Sequence, residues 1–133
     1  MGLILVDTSV WVEFLRDTGS AQCNRVTELL DVDAPMATTD VVIMELLAGA
    51  GSAERRRQVW ALLNRCTMLP VRPLLDYEIA AHLYLRCRVD GFTPGSTNDL
   101  LVAAVAIGRD VPVLAADADF AHVARVSSLR LDS

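Results

Sequence analysis

Four carboxylates stand alone in apolar stretches of this chain: Asp7, Glu45, Asp99 and Asp117. An ionised carboxylate that loses its hydration needs a partner, and burying one unpaired is costly. Too few basic residues lie beside these four in sequence to serve each one. A fold that buries their flanking segments therefore does best by bringing the acids to a shared edge, where one hard divalent cation compensates several at once. Oxygen-only ligands of this kind suit Mg²⁺, with Mn²⁺ as a substitute.

The 133 residues fit a single domain spanning 1–133. With 53% hydrophobic residues, so small a core leaves apolar surface over, which points to an interface with a second subunit or a partner. No apolar run approaches the roughly 18 residues of a membrane span, and the N-terminus lacks the basic start and small-residue cleavage site of a signal peptide. Cys23, Cys66 and Cys87 are odd in number and far apart in sequence, so they read as reduced thiols in a cytoplasmic protein. With only His82 and His122 besides, a zinc site is not expected. Net charge is −5 and every basic residue is Arg. That total argues against holding nucleic acid by bulk charge, but not against a nuclease, because a metal-free carboxylate site inflates the negative count.

Short apolar runs alternate with helical patterns. Strands are expected at Leu3 to Val6, Pro35 to Thr38, Cys66 to Val71, Val113 to Ala115 and Leu129 to Leu131. Helices are expected at Val10 to Arg16, Ala21 to Leu30, from an Asp40 cap to Gly49, at Ala53 to Asn64, Asp76 to Arg88 and Asp99 to Ile107, with a helical turn at Phe120 to Ala124. Tyr77, Ala80, Ala81, Tyr84 and Leu85 form the apolar side of the Asp76 helix, while Glu78, His82 and Arg86 read as its exposed stripe. Asp90 to Ser96, with Gly91, Pro94 and Gly95, is the most loop-like stretch. The alternation predicts an α/β fold, a parallel sheet covered by helices on both faces.

In such sheets, sites form beyond the carboxyl ends of the strands. Asp7 follows the first strand and Asp117 the Val113 strand, so both arrive at that edge. Each has a plain alternative, an N-cap for Asp7 and a turn residue for Asp117. Glu45 lies on a helix with no face free of apolar residues, and no basic residue lies within i,i+4 reach. It is expected partly buried; the alternative is the edge of the apolar stripe. Ser96-Thr97-Asn98-Asp99 resembles a capping box with Asp in place of Glu, and a carboxylate there is favoured by the helix dipole. Capping leaves oxygen lone pairs free to face a cleft. Asp119 is either a further ligand or a cap for the Phe120 turn. Thr8 and Ser9 offer hydroxyls to Asp7, a ligand or a water. Arg55, Arg56 and Arg57 read as a solvated helix face rather than a phosphate contact.

In this order and setting, LILVDTSVWVEFL, Glu45 in VVIMELLAG, TNDLLVAAVAI and VLAADADF resemble a PIN-domain ribonuclease, and more closely the VapC toxins of toxin–antitoxin pairs. The resemblance covers essentially the whole chain. It implies a PIN-like three-layer sandwich, usually a homodimer, and an acidic site at the positions of Asp7, Glu45, Asp99 and Asp117. The hydroxyl after the first Asp belongs to the pattern, with Thr8 and Ser9 both candidates, and Asp119 matches a less regular acidic position. It further implies Mg²⁺-dependent endonucleolytic cleavage of an RNA, often a tRNA or ribosomal RNA, by in-line attack leaving a 5′ phosphate. Silencing by a cognate VapB-like antitoxin is implied as well.

Two other classes compete. A phosphoryl-accepting signalling domain would also be small, α/β and Mg²⁺-binding, but such domains hold the phosphoryl group with a Lys, and there is none here. A PIN domain serving only as a binding module would not need all four acids. Trp11, Val12 and Leu15 follow Asp7 on one helix. They are expected to take an apolar segment of the antitoxin on a surface reaching to the Glu45 helix, unless Trp11 and Leu15 belong to the core. A second surface on the Asp76 helix is expected to form the homodimer.

Overall fold

A computed structural model describes residues 2–132. Four short strands, β1 (Ile4–Val6), β2 (Met36–Thr38), β3 (Thr67–Met68) and β4 (Val113–Leu114), form one parallel sheet in the order β3-β2-β1-β4. Leu5 lies at its centre, paired with Ala37 on one side and Val113 on the other. β1, β2 and β4 are buried at every position, as expected of a parallel sheet with both faces covered by helices. The chain steps from β1 to β2 to β3 in one direction and then returns to place β4 on the other side of β1. The reversal leaves a crevice above the carboxyl ends of β1 and β4.

The helices are α1 (Thr8–Leu15), α2 (Ala21–Asp31), α3 (Asp40–Ala48), α4 (Ala53–Leu63), α5 (Leu75–Val89), α6 (Thr97–Arg109) and α7 (Asp119–Arg125). Their starts follow the capping residues: Ser20 accepts from the Cys23 amide, Ser52 from Arg55 and Ser96 from Asn98. α6 is the central helix. Leu100 and Val102 through Ala106 are all buried, because their small and β-branched side chains let the sheet and the neighbouring helices approach closely. Its far end is locked by charge. Asp76 is fully buried and accepts from the Arg72 amide at 2.7 Å and from Arg72 Nη2 at 2.7 Å, with Arg109 Nη1 at 3.8 Å. Burial pushes this carboxyl up, but the hydrogen bonds and charge of Arg72, with Arg109, outweigh it and hold it below its ordinary value. Gly108 is required here, since a Cβ would run into the Arg72 guanidinium.

Several expectations need correction. The Cys66 to Val71 strand is only two exposed residues, Thr67–Met68, at the sheet edge, and Leu129 to Leu131 contributes a single bridge from Leu131 to Val113. Thr39, not Asp40, precedes α3 as its cap; Asp40 is the first helical residue and accepts the Val71 amide instead. The capping box of α6 is absent: Ser96 bonds Asn98, and the Asp99 carboxylate is left facing the crevice. The buried side of α5 differs from the expected Tyr77–Leu85 face. Its buried residues are Asp76, Ala80, Leu83 and Cys87, whereas Tyr77 and Leu85 are 55% and 59% exposed. A stripe at helical spacing, Asp76, Ala80, Leu83 and Cys87, faces inward, with the Asp76 charge compensated by Arg72 and Arg109, and this leaves Tyr77 and Leu85 outward. Trp11 is fully buried in the core against Phe14, so it is not a docking residue; Val12 and Leu15 are half-exposed.

Candidate active site

All five acids of interest reach the β1–β4 crevice, by different routes. Asp7 ends β1, its amide donating to Leu114 O at 2.9 Å, and caps α1 through the Ser9 amide at 3.0 Å. The cap role and the site position coincide. Asp7 is 2% exposed, and its Oδ1 has no partner among the described residues. Glu45, on the inner side of α3, accepts from Thr8 Oγ1 at 2.7 Å. That bond is the partner that sequence proximity did not supply. Asp99 enters from the first turn of α6, Asp117 from the turn between β4 and α7, and Asp119 from the start of α7.

Asp99, Asp117 and Asp119 each offer a carboxylate oxygen within 4.8 Å of the others. Asp7 and Glu45 are not members of that tight group but face it, and the charges of all four other acids are felt at Asp99. Burial first, then the charges of Asp7, Asp117, Glu45 and Asp119, push Asp99 up from 3.8 to about 7. Burial also raises Asp7, with Glu45 adding to it, against hydrogen bonds from Ser9 and Thr8 that lower it.

The hydroxyls organise the crevice. Ser9 Oγ donates to Asp7 Oδ2 at 2.6 Å and accepts the Ala116 amide at 3.0 Å, tying the ends of β1 and β4 together. Thr8 holds Glu45. The turn holds itself through the Asp119 amide, which donates to Asp117 Oδ1 at 2.9 Å. Asp119 is not the cap: Ala118 precedes α7 with no side-chain cap, and Asp119, its first residue, has its carboxylate beside Asp99 and Asp117.

An orphaned buried oxygen on Asp7, a set of hard carboxylate donors and a carboxyl held near neutrality by its neighbours all fit a divalent cation. Sequence reasoning missed the Gly95 amide, which donates to Asp119 Oδ2 at 2.9 Å, and the ring of His122, stacked on Phe92. The i,i+3 spacing of Asp119 and His122 was a signal for the second; nothing in sequence marked the first. Beside the site a groove runs between α1, α3 and α4, walled by Val12, Leu15, Leu46 and Val59, with Arg16 and Glu45 at its polar side.

The model of the PIN domain matches residues 4–126, which contain all of these acids. Ribonuclease VapC11 of Mycobacterium tuberculosis is 37% identical over 132 residues, 98% of each chain. The chain belongs to the VapC ribonucleases of the PIN-domain family. Among solved structures, VapBC-5 of Mycobacterium tuberculosis, a member of the VapBC family of toxin–antitoxin systems, aligns with TM-score 0.65 at 29% identity over 98% of both chains. VapBC-1 of nontypeable Haemophilus influenzae aligns with TM-score 0.75 at 18% identity, over 99% of this chain and 98% of that one, a likeness of fold. Among the described residues, no helix is long and apolar enough to cross a membrane.

Proposed function

We propose that this VapC chain is a Mg²⁺-dependent endoribonuclease, the toxin of a toxin–antitoxin pair, that cuts a specific tRNA or ribosomal RNA and so stops translation until its antitoxin binds. The observation that carries the reading is the convergence of five carboxylates on one crevice, with Asp7 Oδ1 buried and unpartnered. Asp7, Asp99 and Asp117 hold the cation, with Glu45 and Asp119 completing the set. When bound, Mg²⁺ supplies a water of lowered pKa and neutralises charge developing on the phosphoryl oxygens.

The chain's own residues set up that chemistry. Ser9 fixes the rotamer of Asp7 by donating to Oδ2, which leaves Oδ1 buried and without a protein partner. Thr8 fixes one oxygen of Glu45 and leaves the other free. Asp99 is the group whose proton is most easily held at neutral pH without metal, and loading the site releases it. The turn from Ala116 to Asp119, held by the Ser9 hydroxyl and the Asp119 amide, keeps Asp117 at the open side, where the scissile phosphate must enter.

The α1–α3–α4 groove is the site proposed for the antitoxin. Val12, Leu15, Leu46 and Val59 suit an apolar segment, and Glu45 at its edge suits an Arg whose planar fork matches a carboxylate. The solved VapBC complexes of the same fold favour a VapB-like partner. The exposed α5 stripe of Tyr77 and Leu85, beside Leu101 of α6, is proposed to pair with a second copy.

Sequencing RNA ends after brief expression tests the reading. The expected result is one dominant new 5′ end that disappears with Asp7→Asn. An end pattern identical in the two would overturn it.

A further inference from the structure

The loop between α5 and α6 touches the acid group at two points. At its end, Ser96 caps α6 and thereby sets the position of Asp99. One residue earlier, the Gly95 amide holds Asp119 Oδ2. The loop itself is held by further contacts. Gly91, at φ +84, turns the chain out of α5, and the Phe92 amide closes the turn on Cys87 O at 2.9 Å. The Phe92 ring then lies flat on His122, centroids 4.0 Å apart and planes 8° from parallel. His122 is three residues after Asp119, so the two project from the same side of α7. Pro94 is buried, and Arg125 of α7 reaches Asp90 at 3.9 Å. The loop is thus fastened to α7 at Asp90, Phe92 and Gly95, and only the last of these is an acid contact.

We propose that the Phe92–His122 stack is a positioning device for Asp119: it pins the loop to α7 so that the Gly95 amide keeps the Asp119 carboxylate turned into the acid group, where it adds a ligand to the metal. This rests on the reading of that group as a divalent-cation site. Ring stacking is suited to the task because a flat contact fixes both distance and tilt. A single amide hydrogen bond on an unfastened loop fixes neither. Groups that orient a ligand from behind typically affect metal affinity tenfold or more.

Mn²⁺ binding to the full-length chain, purified away from its partner, tests this by calorimetry and by the electron paramagnetic resonance spectrum of the bound ion. Phe92→Leu and His122→Gln should each weaken Mn²⁺ binding by about tenfold and alter the spectrum. Phe92→Tyr and His122→Phe, which keep a stacked pair, should stay within about twofold of the parent. In an Asp119→Asn background, Phe92→Leu should cost nothing further. His122→Gln, at a half-exposed helical position, serves in place of Phe92→Leu if the latter melts below the assay temperature. The proposal is overturned if both ring-removing variants bind like the parent, or if their loss persists in full without Asp119. If Asp99→Asn and Asp119→Asn both bind Mn²⁺ as tightly as the parent, the cation site itself is wrong, and that result is distinct from a failure of the stack alone.

Discussion

Ser9 shows how much of this site rests on single hydroxyls. Its Oγ joins the carboxylate at the end of β1 to the backbone just beyond β4, so removing it frees both strand ends at once. Ser9→Ala leaves a buried carboxylate short of one donor, and should lower RNA cleavage by tenfold or more while Ser9→Thr retains part of it; equal rates for Ser9→Ala and the parent would contradict the role. Asp99 makes a second residue-scale prediction. Its folded-state pKa of about 7 lies above the ordinary 3.8, so the metal-free folded chain keeps a proton that the unfolded chain releases. The associated stability is full below pH about 4 and is lost as pH rises through about 7. Asp7 shifts in the same direction and adds to the effect. Asp76, held below its ordinary value, works in the opposite sense, but only in more acid solution. Metal-free protein should therefore melt at a lower temperature at pH 8 than at pH 5, and Asp99→Asn should flatten that slope. A melting temperature that rises from pH 5 to pH 8 would count against the crowded, metal-free acid group.

At the scale of elements, α1 divides its work between core and groove. Trp11 is fully buried, while Val12 and Leu15 wall the groove. Trp11→Ala should cost about 3–5 kcal/mol of stability, as large buried aromatics do, read as a lower denaturant midpoint. Val12→Asp should leave the midpoint nearly unchanged and weaken capture of the co-expressed antitoxin. The reverse pattern would move the docking surface elsewhere. α5 makes the complementary case, since Tyr77 and Leu85 are exposed on the monomer surface. Leu85→Arg should convert a dimer to a monomer in analytical ultracentrifugation without loss of folding, and an unchanged sedimentation coefficient would reject that face as the dimer contact.

For the whole molecule, the sequence carried the architecture because the local signals were strong. Apolar runs at β1 and β4 sit directly before Asp7 and Asp117, and the all-apolar pattern of α6 marks a central buried helix. It carried the acid set for the same reason, each carboxylate being conspicuous against apolar neighbours. It failed where a buried charge broke the apolar pattern. The inward face of α5 is Asp76, Ala80, Leu83 and Cys87, a helical stripe masked by its leading carboxylate, whose burial depends on Arg72 four residues back and on Arg109 from α6; Trp11 is core because α2 and α3 close over α1. The edge strands shrank because pairing at β3 and Leu131 is set by the sheet's limits and not by their composition. The Gly95 and Ala116 amides were invisible for a simpler reason, since a backbone donor has no residue type to announce it.

The carboxylates are proposed to act on RNA through a divalent cation. The most direct measurement is cleavage of a structured RNA by the purified, antitoxin-free chain, with Mg²⁺ present, with EDTA, and for Asp7→Asn with Mg²⁺. Cutting at defined positions should require Mg²⁺, stop in EDTA and return when Mg²⁺ is restored, and Asp7→Asn should slow it by about 10² or more, the scale of losing a key electrostatic contact. Cutting that continues in EDTA, or that survives Asp7→Asn at the parent rate, would contradict the account.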